Sequence, residues 1–321
     1  MTSVSLQGKA ARPEAPKMNG SSVPWNKKTK QSKTLSDHIA DGLIAILVVA
    51  IILVVLYPLW FIVIASFSDP TKVAIGEVLT LPKGTNFTGY TKIFADSRIW
   101  TGYKNTLIYA FAGTALNMVV TLPAAFALSR SEFKPRRIIM FLFTFTMFFG
   151  GGLIPSYLLY KQIGILNSMW VFILPGAVSV YNLIIARSFF ETSIPEELHD
   201  AAQIDGMSYI GYFVRIVLPL SSAIIAVIAL YYFVGHWNDY FTGLIYIRDA
   251  SKQPLQNVLQ SILLANQTNS NSAGMTAVAA QRFAEQIKYG VIIVSTLPLL
   301  VMYPFLQKYF NKGVMIGAIK G

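Results

Sequence analysis

The sequence predicts an all-α, polytopic membrane protein, and three observations carry that reading. Hydrophobic residues make up 54% of the 321 residues and charged residues only 13%, which is more apolar surface than one soluble domain can bury. The apolar residues gather into six runs, each close to the roughly 20 residues that a helix rising about 1.5 Å per residue needs to cross a hydrocarbon layer about 30 Å thick. None of these runs alternates apolar with polar positions over about ten residues, as the strands of a transmembrane barrel would.

The elements follow in chain order. Residues 1–35 are polar and basic and are punctuated by Gly8, Pro13, Pro16, Gly20 and Pro24, a composition unable to bury a core, so a disordered tail is expected there. Residues 36–321 form the membrane domain. Its first span is expected from about Leu43 to Ser66; this run is too long for a signal-peptide core and lacks a small-residue cleavage site. A polar segment, Phe67 to Asn105, follows with turn signals at Asp69-Pro70 and Pro82-Lys83-Gly84.

The second span is expected from about Thr106 to Leu128 and the third from Ile138 to Tyr160, the latter carrying Gly150, Gly151, Gly152 and Pro155. The fourth, Met169 to Phe190, contains Pro175 and Arg187. The fifth, Val217 to Phe241, contains Pro219, and the sixth, Tyr289 to Phe310, contains Pro298 and Pro304. Prolines inside spans are tolerated where neighbouring helices satisfy the freed backbone groups. Short connections at Ser129–Arg137 and Lys161–Ser168 tie neighbours as hairpins.

Lysine and arginine are concentrated in the N-terminal segment, in Ser129–Arg137 and near the C-terminus. The positive-inside rule then places both termini of a multi-pass membrane protein in the cytoplasm. The net charge of +11 lies in loops beside spans, which fits anionic lipid headgroups and not nucleic acid. The absence of cysteine excludes disulfides and thiolate metal sites.

Two longer connections hold the functional signals. The inner stretch, residues 191–216, reads as two short helices. Ser193 and Glu196 have capping-box spacing and are expected to start the first, and Asp205-Gly206 to end it. Glu196, Glu197, Asp200 and Asp205 make this loop acidic where a basic one is expected, and Ala201 and Ala202 add a small-residue patch, so the stretch reads as a docking surface. The outer stretch, residues 242–288, contains the polar run Asn266, Gln267, Thr268, Asn269, Ser270, Asn271 and Ser272, a flexible loop by composition.

The spacing of Asp200-Ala201-Ala202, Asp205-Gly206 and Leu218-Pro219 resembles the signature of the inner-membrane permeases of binding-protein-dependent ABC importers, with Asp200 where glutamate is usual and Met207 where alanine is usual. Ala124 to Arg130, Gly151 to Pro155, Ile173 to Pro175 and the ending Lys312 to Gly321 extend the resemblance over roughly residues 40–321. Those segments are similar to the maltose-type carbohydrate permeases and, within them, to permeases for complex oligosaccharides such as alginate or pectin fragments.

The resemblance implies the type I importer permease fold and a sugar substrate. It also implies three kinds of protein partner: a second homologous permease, a dimer of nucleotide-binding ATPase subunits and an extracytoplasmic solute-binding protein. Glu197, Asp200, Ala201, Ala202, Asp205 and Gly206 would form the ATPase-coupling helix. The Asn266 to Asn271 run would contact the binding protein.

Polar residues in spans usually face the bundle interior, so Asn117, Asn182, Trp237, Asn238, Asp239 and Tyr240 are the candidates for the translocation pathway; interhelical bonding and interfacial anchoring are the competing reading. No Gly-x-x-x-x-Gly-Lys-Ser/Thr loop is present, so ATP and Mg belong to the partner ATPase and no cofactor is expected on this chain. His38, His199 and His236 are too scattered for a metal site, and no catalytic residue is expected. Two alternatives remain open: an importer permease for another solute, such as peptide or phosphate, and a polytopic membrane enzyme.

Overall fold

The computed structural model describes residues 35–270 and 287–304. All regular structure among them is helical, without a strand. The chain separates after Val55 into two compact units. The described part of the first is the leading portion of helix α1 (Leu35–Ser66). Its side chains from Leu43 to Val55 are all apolar and all exposed. Such a surface is stable against lipid and not against water.

In the second unit, the end of α1 leads into α2 (Pro70–Ala74) and α3 (Thr88–Ala95). Asp69 caps α2, its Oδ1 accepting from the Thr71 and Lys72 N–H groups at 2.8 and 3.4 Å. The Thr71 N–H bond holds this carboxyl below its usual range. The Asp69-Pro70 turn signal therefore marks a helix start, with Pro70 where its missing N–H costs nothing.

Helix α4 (Ser97–Ser129) is the centre of the unit and packs most extensively against α8 (Val180–Ser193) and α12 (Ser222–Trp237), then against α14 (Leu255–Ser270). Thr106, Ala110, Gly113, Asn117, Thr121, Ala125 and Leu128 recur at three- and four-residue spacing and are all buried, so they form one stripe along the helix. The stripe is mostly small or polar, which lets neighbouring backbones approach and supplies interhelical hydrogen bonds. At Gly113 the His236 ring fills the place of a side chain, and an added Cβ would lie 2.6 Å from its Cε1.

The six apolar runs are not six straight crossings. Among the described residues, three helices are long and apolar enough to cross a membrane unbroken: α1 over Ser36–Ser66, α4, and α15 (Ile287–Pro304). The third run is split into α5 (Arg136–Phe148) and α6 (Leu153–Gln162), bent by 113°. The three consecutive glycines at the bend favour no helical backbone, and Gly152 takes φ +85°.

The fourth run is α7 (Trp170–Ile173) and α8, separated by residues 174–179 around Pro175. Leu174 keeps helical backbone at φ −76° and ψ −47°, but Pro175 has no N–H to continue the helix, and neither helix reaches crossing length. The fifth run starts earlier than expected, as α10 (Tyr209–Tyr212), a π turn at Phe213–Val217 and α11 (Leu218–Leu220), then bends by 85° into α12. Pro219 cannot donate the helical bond to the residue four before it, and the wider turn precedes that gap. Between α8 and α10 lies α9 (Glu197–Ile204).

The part of the outer stretch up to residue 270 is also more ordered than its composition suggests. It contains α13 (Phe241–Tyr246) and α14, whose Leu255, Val258 and Leu259 are buried against Ile99, Ala110 and Trp237. The expected tail, residues 1–35, lies almost wholly outside the described residues, as do Phe305 to Gly321.

Candidate functional site

Two features of the second unit bring together residues singled out in the sequence: the acidic helix α9 and a polar cavity beside the break between α7 and α8.

Helix α9 begins at Glu197, one turn later than the capping-box spacing suggests. Ser193 is instead the last residue of α8. Phe190 and Ile194 are buried at 0% and 6% exposure, and their burial carries the chain on along α8. Glu196 makes no cap through its side chain; its Oε1 accepts from the Ser131 hydroxyl at 3.1 Å.

The expected helix stop at Gly206 is present. Gly206 has φ +71°, its N–H donates to the Gln203 carbonyl at 3.0 Å, and the Met207 N–H donates to the Ala202 carbonyl at 2.9 Å. This is the paired bonding of a Schellman C-cap, which needs the left-handed backbone that glycine adopts without strain.

Two faces result. Glu197, Asp200, Ala201, Gln203 and Asp205 are exposed around Ile204, itself 87% exposed, with Ile210 nearby at 78%. An acidic surface with protruding aliphatic side chains is a docking chemistry, as a partner can bury the aliphatics while its cations meet the rim. Ala202 and His199 face the other way, 4% and 3% exposed. The expectation that both alanines form one outward patch is thus corrected: the i, i+1 spacing places Ala202 in the core and leaves Ala201 outside.

Underneath, α9 is held by its inward side chains. The His199 ring packs at an angle against Tyr209 and Tyr212, with ring centroids 5.0 and 5.1 Å away. Its Nδ1 lies 3.7 Å from Glu132 Oε1, on the turn between α4 and α5. The same end is tied by arginines that the sequence presented only as topology signals. Arg130, 9% exposed, donates from Nη2 to the Phe190 carbonyl at 3.1 Å and lies over the Phe126 ring. Arg187 Nε donates to the Leu128 carbonyl at 3.0 Å, and Arg136 Nη1 to the Ser129 carbonyl at 3.3 Å. Glu191 bridges Arg187 and Arg136 at 3.1 and 3.7 Å. Guanidiniums thus occupy the C-terminal carbonyls of α4 and α8, where helix dipoles favour positive charge. The turn that Glu196 and His199 touch is thus tied to α4, α5 and α8.

The second feature is a cavity of about 340 Å³ beside residues 174–179, lined by residues that include Phe172, Ser179, Asn182, Tyr231, His236 and Asp239. The broken helix frees backbone groups inside the bundle, and side chains from α4 and α12 take them up. Asn117 Nδ2 donates to the Gly176 carbonyl at 2.5 Å. The Ser179 N–H donates to the Tyr232 hydroxyl at 2.9 Å, and that hydroxyl lies 2.7 Å from Thr121 Oγ1. His236 Nε2 meets Asn117 Oδ1 at 2.7 Å.

Of the expected pathway residues, Asn182 and Asp239 line this cavity, and Asn117 supports it from behind. Asp239 Oδ1 also caps α13 by accepting from the Thr242 N–H at 3.1 Å. Trp237 does not belong to the group. It is 1% exposed and donates from Nε1 to the Ser295 carbonyl at 3.0 Å, anchoring α12 to α15. Asn238 is exposed at the end of α12, and Tyr240 is half-buried without lining the cavity. His236, too isolated in the sequence for a metal site, lies at the cavity wall. Only its position one turn before Asp239–Tyr240 could have signalled this.

The polar run expected to form an external loop is helical as far as Ser270, the end of α14. Asn266 to Ser270 therefore continue a helix whose earlier turns are anchored by Leu255 and Leu259, and Asn271 lies outside the described residues.

Comparison with known proteins covers most of the chain. A family profile described as "Binding-protein-dependent transport system inner membrane component" matches residues 99–316. Protein LplC of Bacillus subtilis is 39% identical over 269 residues, covering 84% of this chain and 90% of the relative. The polygalacturonan/rhamnogalacturonan transport system permease protein YtcP of Bacillus subtilis is 36% identical over 290 residues, covering 89% and 100%. Among solved structures, a chain of a bacterial ABC transporter involved in the import of the acidic polysaccharide alginate superposes with a TM-score of 0.77 at 29% identity, covering 87% of this chain and 99% of that one.

Proposed function

The chain belongs to the binding-protein-dependent transport system inner membrane components, and from that premise we propose that it is a permease subunit of an ATP-driven importer of saccharides, oligosaccharides in particular. The saccharide assignment draws on the cargo named for YtcP and for the alginate transporter, together with a cavity that offers amide, hydroxyl, imidazole and aromatic groups.

The observation that carries the mechanism is the two-faced α9. Its outer face, with Glu197, Asp200, Ala201, Asp205 and the Gly206 stop, docks on a separate ATPase subunit that binds ATP and Mg. Its inner face, through His199, the Ser131–Glu196 and Glu132–His199 contacts and the neighbouring arginine bonds, passes the movement to α4, α5 and α8. The bent pairs α5–α6 and α10–α12 and the break before α8 are where the chain can change angle, so closure of the ATPase dimer alternates the pathway between outward- and inward-facing states. A second, related permease supplies the other half of the pathway, and an external binding protein delivers the saccharide. In this reading both termini and α9 lie on the cytoplasmic side, and α14 with the Asn266–Asn271 run faces the binding protein.

Purification in mild detergent tests the scheme: an ATPase and a second permease should co-purify in fixed ratio, and isolation of this chain alone, stable and in good yield, would count against it.

A further inference from the structure

We infer that the cavity at the α7–α8 break is a saccharide subsite in which His236 reads a sugar hydroxyl through Nδ1, with Asn117 holding the ring in place. The inference rests on the permease reading and adds to it the chemistry of one contact.

Asn117 sets the orientation of the His236 ring. Its side chain is buried at 0% exposure, and its amide orientation is fixed by the network. The Gly176 carbonyl can only accept, so the group facing it is the NH2. The atom 2.7 Å from His236 Nε2 is then the carbonyl Oδ1, which also only accepts. Nε2 must therefore carry the proton, and the neutral ring presents Nδ1 as a bare acceptor. The Nε2 edge is turned into α4, where Gly113 leaves room for it. Nδ1 makes no hydrogen bond among the described residues, it is not a sealed orphan, and His236 lines the cavity.

Two neighbours present matching chemistry. Asn182 is 5% exposed and lines the cavity, and its side-chain amide has no partner among the described residues. A buried polar group is normally paired, and an amide left open to a cavity is paired by whatever fills it. Asp239 uses Oδ1 on Thr242 and has Oδ2 to spare. Two acceptors, an amide that both donates and accepts, and the rings of Phe172 and Tyr231 match a polyol with a hydroxyl edge and an apolar C–H face. The acceptors favour the hydroxyls of a sugar unit over its carboxylate, so the acid group of a uronate chain would be read elsewhere in the assembled pathway.

The test uses the complete transporter in proteoliposomes, with digalacturonate and maltotriose as parent substrates and singly deoxygenated analogues of each. For wild type, removing the hydroxyl read by His236 should lower uptake efficiency about tenfold. His236→Leu should lower efficiency for the parent by a similar factor, and the penalty for that one deoxy position should shrink to within about twofold, since both changes remove one contact. The binding protein is common to both, so its own discrimination cancels in the ratio of ratios. His236→Gln should restore most of the penalty, because its amide can donate to Asn117 and still offer an oxygen. Should His236→Leu fail to assemble, the same cycle with Asn182→Ala carries the same expectation for the hydroxyl it meets. Penalties that multiply independently at every position, or a Gln variant no better than Leu, would overturn the subsite. A wild-type complex that takes up neither parent saccharide would contradict the oligosaccharide assignment and this inference with it.

Discussion

Arg130 and Phe190 lie 60 positions apart in the chain, and the guanidinium of the first donates to the carbonyl of the second at 3.1 Å. The bond joins the end of α4 to α8 at the level where α9 begins. Arg130→Leu would leave the buried carbonyl without its donor, at a cost of about 1–3 kcal/mol. Thermal unfolding of the purified complex in detergent should show the loss, and Arg130→Lys should recover only part of it, because an ammonium cannot reproduce the planar fork over the Phe126 ring. Equal stability of the Leu variant and wild type would show that this bond is incidental.

Gly206 holds φ +71° with open space where a side chain would go. Strain there is purely of the backbone, about 1–2 kcal/mol for an L-residue. Gly206→Val should unwind the end of α9 and abolish ATP-coupled uptake while the protein still inserts; Gly206→Asn should be milder, as asparagine tolerates this conformation best among the others. Asp205→Lys should have the same effect by charge, without disturbing the fold. Normal uptake by both Val and Lys variants would remove α9 from the coupling path.

Tyr232 serves the broken helix. Tyr232→Phe deletes the oxygen that accepts from the Ser179 N–H and meets Thr121, and should cost about 1–3 kcal/mol for the orphaned donor. Melting temperature reads this directly. An unchanged melting temperature would mean that water can replace the hydroxyl.

Trp237 is expected to act through stability alone. Trp237→Phe keeps the ring stacking with Phe233 but loses the bond to the Ser295 carbonyl, so the complex should melt lower, by about 1 kcal/mol of stability, while its ranking of saccharides stays the same. A changed ranking in uptake assays would return Trp237 to the pathway.

What the sequence made legible was what local pattern determines. Apolar runs of crossing length are α1 and α4, Asp69-Pro70 starts α2, and Gly206 stops α9, each from a few adjacent residues. The breaks were not legible in the same way. Pro155, Pro175 and Pro219 are all tolerated in spans, and only the tertiary partners decide which run bends: Asn117 and Tyr232 satisfy the groups freed near Pro175 from 50 or more positions away. The Ser193–Glu196 spacing was a sound local signal that lost to burial of Phe190 and Ile194. The Arg130, Arg136 and Arg187 bonds were hidden because positive charge beside a span already had an explanation. His236 was set aside for want of a second metal ligand, although its hydrogen-bond partner sits on another helix.

The central claim is that the outer face of α9 is seated in an ATPase subunit. The chain contains no cysteine, so a single substitution gives it one thiol at a known position. Ala201→Cys on the exposed face, in the assembled transporter, should cross-link to the ATPase through a short bifunctional thiol reagent when cysteines are placed along its docking cleft, and the yield should change on ATP binding. The inward Ala202→Cys should not cross-link. Cross-linking from Ala202→Cys, or none from Ala201→Cys at any position of the cleft, would contradict the account.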